Sequence, residues 1–321
     1  MSNIRDIRVD QAFDVSELLN ALVNMPLLER LHLTFLRNDH PDWLFQDRSY
    51  VILQHLELLH IYGPLTTWFP IVKVIKPAAG CSISIRSNPT MADGRIPNLE
   101  NSTSEHLIDY IHTAVAPHTP SRILLKCRNG THSQEVRVDI DTMEVPQNIS
   151  IYLEYYDTLS RTLIDYLSSF LMSKPIKEAV LEISGLEGLL NAQLKTLLRS
   201  LSFISFLETS EDTLDFIISA DNRKCFPTLR SLKLSSIRPQ TAWRRYPEGP
   251  IMALLQHRKE IGLPIAILDL TACQTSKFYD MDYLDRIIDL EVRYTHLSNQ
   301  TDIHYRCGTG TPEVLKFEKE D

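Results

Sequence analysis

Three segments of this chain share one spacing of apolar positions. MPLLERLHL carries Met25, Leu28, Leu31 and Leu33, LQHLELLHI carries Leu53, Leu56, Leu59 and Ile61, and FPTLRSLKL carries Phe226, Leu229, Leu232 and Leu234. Each is apolar at i, i+3, i+6 and i+8. The closing alternation fits a short strand, in which side chains two apart share a face, and the earlier residues anchor the approach to it. Shorter versions recur in CSISI (Cys81, Ile83, Ile85), AVLEI (Leu181, Ile183), LSFISF (Leu201, Ile204, Phe206), IAILDL (Ile265, Leu268, Leu270) and DLEV (Leu290, Val292). Successive strands fall mostly about 22 to 36 residues apart, a range that overlaps and exceeds that of regular leucine-rich repeats.

Between the strands the apolar period becomes helical, as in VSELLNALVNM, TTWFPIVKVIK, SEHLIDYIHTAV, LSRTLIDYLSSFL and GPIMALLQHRKEIG. Ser16, Thr67 and Ser104 precede apolar turns as N-caps do, and Gly262 sits where a helix should stop. Alternating strands and helices predict parallel strands with crossover helices, and the repeat spacing selects a solenoid over a closed or doubly wound sheet. The expected fold is therefore α/β, an irregular leucine-rich-repeat solenoid with parallel strands on the concave face and helices on the convex face. It forms one unit over 1–307, with a flexible tail over 308–321.

The stretch SRILLKCRNGTHSQEVRVDID at 121–141 departs from the repeat. It reads as two strands around Asn129-Gly130, a dipeptide favoured in hairpin turns, and a third strand follows at Ile149–Glu154. This is either a β-hairpin insertion or a seam between half-domains, and the absence of an obvious flexible linker favours the insertion.

Composition narrows the function classes. The 321 residues are 43% hydrophobic and 23% charged with a formal net charge of -8, and no segment gathers the basic face that nucleic acid requires. Five scattered cysteines without a CxxC pair argue against a disulfide framework or zinc site and for a reducing, intracellular setting, cytoplasmic or nuclear. The opening MSNIRDIRVDQ lacks a signal-peptide core, and no run of about 18 apolar residues suggests a membrane span. Four N-x-S/T sequons, at Asn101, Asn129, Asn148 and Asn299, point mildly the other way, and in a chain with many Ser and Thr several such matches arise by chance.

No GxSxG, GxxxxGK[ST] or HExxH motif occurs. On a strand, His55 and Glu57 would share one face and His60 the other, so the three do not suit one metal. Asp139 and Asp141 fit the polar side of an exposed edge strand, Cys273 a small buried apolar residue, and GTGTP at 308–312 a tail without the strand, helix and lysine of a phosphate loop. No catalytic, cofactor-binding or metal-binding residue is assigned, and a non-catalytic role follows. The alternative is an enzyme whose hydrolase-like site is built from residues distant in sequence.

In a solenoid, alternate strand residues enter the core and the others face outward on the concave side. That rule selects His32, His60, Tyr62, Arg86, Glu182, Lys233, Asp269 and Arg293 as the residues offered to a partner. Their mixture of charge, histidine and tyrosine suits a protein better than an apolar ligand or a phosphate backbone.

The order MPLLERLHL, HLELLHIYG, IKEAVLEISGL, FPTLRSLKL and HRKEIGLPIAILDLTAC resembles fungal, basidiomycete-type F-box and leucine-rich-repeat proteins over roughly residues 18–295. The resemblance implies substrate recognition within a ubiquitin-ligase adaptor. It covers the repeat region only: the first 25 residues read as a strand and a repeat helix, so a ligase linker would be a partner only if an F-box lies upstream.

Overall fold

A computed structural model describes residues 3–10, 15–34, 50–88, 107–113, 119–129, 134–142, 148–155, 158–184, 191–219, 225–237, 249–273, 281–296 and 300–315. Strands that alternate in polarity assemble into one thirteen-stranded sheet. Its first arm runs β1 (Asp6–Val9), β2 (Arg30–Thr34), β4 (Leu58–Pro64) and β6 (Ser82–Asn88). Next come β9 (Asn148–Tyr155), β8 (Gln134–Thr142) and β7 (Pro120–Asn129). The second arm is β10 (Glu178–Ser184), β11 (Phe206–Ser210), β12 (Ser231–Ser236), β13 (Ile267–Asp269) and β14 (Glu291–Thr295), closed by β15 (Asp302–Arg306). Only β8 and β15 run against the rest. A separate parallel pair joins β3 (Val51–Leu53) to β5 (Ile75–Pro77).

The i, i+3, i+6, i+8 spacing has a physical counterpart at each strand entry. The first two apolar residues close a turn, with the N–H of Leu28 donating to the Met25 carbonyl at 3.1 Å, Leu56 to Leu53 at 3.2 Å and Leu229 to Phe226 at 3.0 Å. The chain then steps onto its neighbour, where one carbonyl accepts two successive N–H groups. Arg5 receives Glu29 and Arg30, Glu29 receives Glu57 and Leu58, Ser205 receives Arg230 and Ser231, and Arg230 receives Ala266 and Ile267. The last two apolar residues of the spacing are then strand residues facing inward.

LSFISF obeys this rule in a different frame from the one expected. Ile204 closes the turn on Leu201, two N–H groups at Ser205 and Phe206 meet the Lys177 carbonyl, and β11 begins at Phe206. The spacing is thus Leu201, Ile204, Leu207 and Thr209, with a polar residue in the final slot. Thr209 is buried all the same, because its hydroxyl donates to the Leu181 carbonyl at 2.7 Å.

Among the described residues seven helices supply the other layer: α1 (Val15–Val23), α2 (Leu65–Val74), α3 (107–113), α4 (Thr158–Met172), α5 (Asn191–Ser200), α6 (Glu211–Ser219) and α7 (Gly249–Glu260). Their buried residues, among them Leu19, Leu167, Leu197, Ile217 and Leu255, join the inward residues of the strands in one hydrophobic cluster. The architecture is an α/β open, parallel-rich sheet. No described helix is long and apolar enough to cross a membrane.

At the end of α7, Gly262 takes φ +74 and ends the helix, with the N–H of Leu263 returning to the Arg258 carbonyl at 2.9 Å. Arg258 is 1% exposed, and its guanidinium donates to the carbonyls of Leu263, Cys225 and Leu229 at 3.0, 3.1 and 3.3 Å. No carboxylate among the described residues pairs with it. This arginine staples the helix end to the entry turn of β12.

The hairpin expected near 121–141 forms, with Asn129 paired to Gln134, and Gly130 lies outside the described residues. It is no appendage. β9 pairs parallel with β6, and β7 pairs parallel with β10, so the three antiparallel strands are inside the sheet. The expected edge position of Asp139 and Asp141 is corrected by the same fact, since β8 has a partner on both sides.

The tail expected to be flexible over 308–321 is packed as far as Leu315. Pro312–Leu315 form a 3-10 turn, Leu315 is fully buried, and its carbonyl accepts the Met281 N–H at 3.0 Å. The Tyr294 hydroxyl adds a hydrogen bond to the Val314 carbonyl at 2.6 Å. Residues 316–321 lie outside the described residues.

Candidate partner-binding face of the sheet

Strand pairing aligns the inward residues into continuous rows, and so also the residues between them, which point away from the helices. One outward row reads Arg8, His32, His60, Ser84, Ser150, Asp139, Leu124, Val180, Glu208, Lys233, Asp269, Arg293 and His304 in register. A second, one pleat along, reads Thr34, Tyr62, Arg86, Tyr152, Arg137, Lys126 and Glu182.

All eight residues expected on this face lie in those rows. His32, His60, Lys233, Asp269 and Arg293 share the first; Tyr62, Arg86 and Glu182 share the second. Arg86 is exposed and the other seven are half-buried. They do not form one compact site. His32 and His60 are neighbours with ring centroids 5.7 Å apart, and the Arg86 guanidinium lies 5.5 Å from the Tyr62 ring centre. Lys233, Asp269 and Arg293 form a second group on β12–β14, and Glu182 stands between.

Charge is handled differently along the face. Glu182 accepts from Lys126 at 2.5 Å and Arg128 at 3.1 Å, and Asp139 is held by Arg137 at 2.8 Å and the Ser150 hydroxyl at 2.7 Å. Glu208 lies 3.7 Å from Lys233 and 3.9 Å from Arg122. Glu291 accepts from Arg293 at 2.7 Å and sits 3.1 Å from His304, and these hydrogen bonds hold its carboxyl below the usual glutamate value. Asp269 turns back on its own chain, accepting from the Thr271 N–H at 2.9 Å and hydroxyl at 2.7 Å. Burial, then the neighbouring His32 and Arg8, hold the His60 imidazole below its ordinary value of 6.5.

Several members of the face escaped the sequence reading. Arg8, Arg137, Asp139, Lys126 and Glu208 become outward-row residues only once β1, β7, β8 and β11 are placed in register. Glu208 follows from the shifted frame of β11, which begins at Phe206. Leu124 and Val180 are the two apolar entries in the first row, paired with each other where β7 meets β10, and Val180 is only 5% exposed. The contiguous apolar runs ILL and AVL were the available signal, because a strand facing core on one side alone alternates.

The remaining candidates for chemistry do not converge. His55 and Glu57 sit before β4 on the rim of a cavity of about 240 Å³ that Gly80 and Cys81 also line, while His60 is on the outward face. Cys273 is buried, its thiol donates to the Leu234 carbonyl at 3.1 Å, and burial pushes it up to about 12, far from a nucleophile's range. Among the described residues no three His, Cys, Asp or Glu side chains are placed to hold one metal ion. No family model, no curated protein and no solved structure matches this chain.

Proposed function

We propose that the chain is an irregular leucine-rich-repeat solenoid that acts as a non-catalytic scaffold, binding a protein partner through the outward face of its sheet. The observation that carries this reading is the first outward row. It crosses all thirteen strands with polar side chains at every position but two, while the helices occupy the opposite side. A one-sided sheet of this width offers a partner many side chains at fixed spacing, and its mixed charge favours specificity over simple greasiness. The turn-and-step hydrogen bonding shared by the entries of β2, β4, β11 and β12 supports the repeat assignment. The resemblance to F-box and leucine-rich-repeat proteins extends the proposal to recognition of a ubiquitin-ligase substrate, and that extension rests on the resemblance alone.

The test is quantitative affinity capture from cells of the source organism, comparing the natural chain with Lys233→Glu, Asp269→Lys, Arg293→Glu in combination. Proteins retained by the natural chain and reduced about tenfold or more by the triple change support a binding face, since interface energy concentrates in a few residues. An unchanged set of retained proteins sinks it. Failure to recover any ligase subunit with the full gene product removes the adaptor role and leaves the scaffold.

A further inference from the structure

The outward face is not electrically uniform. On β1, β2, β4 and β6 the two outward rows contain Arg8, His32, His60 and Ser84, then Thr34, Tyr62 and Arg86, with no carboxylate in either row. The acids nearest this strip are already engaged at its borders: Asp10 with Arg8 at 3.0 Å and Asp6 with Arg30 at 3.0 Å. Along the row beyond Ser84 the first acid is Asp139, three strands from His60 or roughly 14 Å at ordinary strand spacing, and Arg137 and Ser150 hold it. From β11 to β15, by contrast, carboxylates stand among the bases, Glu208 near Lys233 and Glu291 against Arg293 and His304.

At the centre of the strip are two imidazoles. His32 and His60 lie in register on adjacent parallel strands with ring centroids 5.7 Å apart, and neither ring nitrogen takes part in a hydrogen bond among the described residues. A divalent cation would find two ligands, no third among the described residues, and Arg8 one strand away. An anion would find up to two imidazolium donors beside a guanidinium.

We infer that this strip is an anion-reading subsite for an acidic peptide segment of the partner, with His32 and His60 as its two proton-linked contacts. The inference rests on the proposed binding role of the face and adds the chemistry of what is bound there. A segment crossing β1 to β6 would set its carboxylates against Arg8, His32 and His60, with the Tyr62 ring beside it. In the unbound protein burial, then the neighbouring His32 and Arg8, disfavour a proton on His60. A bound carboxylate reverses that balance, so association takes up protons and strengthens as the pH falls through the histidine range. The net charge of -8 opposes a polyanion in general, which makes selection depend on this local strip.

The probe is a fluorescein-labelled hexaglutamate peptide, its binding read by fluorescence anisotropy at pH 7.5 and 5.5. The expected result is binding about tenfold tighter at pH 5.5, as two close imidazolium–carboxylate contacts provide in water. His32→Gln with His60→Gln abolishes the pH dependence, while Lys259→Gln, an exposed charge lost from α7 on the helix side of the sheet, leaves it intact. Proton NMR of the two imidazoles in the natural chain gives a second measurement that needs no variant: both titration midpoints rise when the peptide is added. Equal binding at the two pH values, unmoved midpoints, or the same pH dependence in the double variant overturns the inference. A single-stranded DNA oligonucleotide of equal charge that binds as tightly overturns the choice of a peptide. Because partner capture by the β12–β14 variant is scored separately, loss of the subsite and loss of the face as a whole are distinguishable.

Discussion

In the two arms of the sheet β2, β4, β11 and β12 are each entered through a tight turn and a carbonyl shared by two N–H groups, so these strands are tied to their predecessors by the same local device. The β9, β8 and β7 strands between the arms are instead held by long antiparallel ladders, nine paired positions between β7 and β8 and eight between β8 and β9. The buried side of the sheet continues across this change of direction: Ile85 in β6 and Val138, Leu125 and Leu181 in β8, β7 and β10 are all buried, with β9 paired in register between β6 and β8. Two-residue periodicity is thus the stronger constraint. Register that keeps one face buried is satisfied by either strand direction, whereas the entry device works only between parallel neighbours.

The sharpest way to break this contrast is to remove one buried leucine from each region. Leu56→Ala at an entry turn and Leu125→Ala in β7 both leave cavities in fully packed surroundings, and each should cost about 2–5 kcal/mol in chemical denaturation. Their reach should differ. In the arm, amide exchange should accelerate in β2, β4 and β6 alone; in the antiparallel strands, which link the arms through β6 and β10, it should accelerate on both sides. Cys81 in the first arm and Cys225 and Cys273 in the second are buried, with thiols pushed up to about 12, 11 and 12, so their labelling reports opening independently. Equal labelling of all three in Leu56→Ala would mean that the arms do not open separately.

A smaller effect tests what holds an entry turn when leucines are intact. Arg258→Lys keeps the charge but loses the planar fork that reaches three carbonyls, leaving one or two of them unpaired in a dry site. The expected cost is about 1–3 kcal/mol, with faster exchange centred on 225–232. Stability equal to the natural chain would show that the staple is dispensable. Smaller again is Thr209→Val, which keeps the shape and loses one hydrogen bond to Leu181; thermal unfolding should register about 1 kcal/mol or less. A much larger loss would mean that the last slot of this entry is specifically polar.

These cases mark what the sequence could and could not convey. Leu31 and Leu33, Leu59 and Ile61, and Leu232 and Leu234 were legible because their apolar residues repeat at a fixed spacing and nothing else produces that spacing. Outward residues then followed by alternation, which is why His32, His60, Lys233 and Asp269 were found. Thr209 was missed because a buried hydroxyl looks like a surface one until its acceptor is known, and the frame of β11 slipped with it. Arg258 stands in the helical stretch GPIMALLQHRKEIG, where nothing marks it as buried. Its burial depends on carbonyls from 225–229 that no local pattern places nearby. The reversed order β9, β8, β7 is a pairing choice, and short strands of similar polarity do not declare their neighbours.

The smallest expected effect sharpens the comparison at the far end of the second arm. There β15 repeats, across one antiparallel pair, the solution used by β7 to β9, and Glu291 bridges the strands by accepting from Arg293 on its own strand and meeting His304 on β15. Its carboxyl is held below the ordinary 4.5, first by the Arg293 hydrogen bond and then by that of His304. A depressed folded-state value means stabilisation that is present above the unfolded value and lost as pH falls through the folded one, so the contribution is complete at neutral pH and fades below about 4.5. The group is on the surface, and Glu291→Gln should cost no more than about 1 kcal/mol at pH 7. Amide exchange in β14 and β15 should then differ between the two chains at pH 7 and converge as the pH is lowered toward 3, with β7 and β8 unaffected throughout. A difference that persists at low pH would mean that packing, not the charge, joins β15 to the sheet.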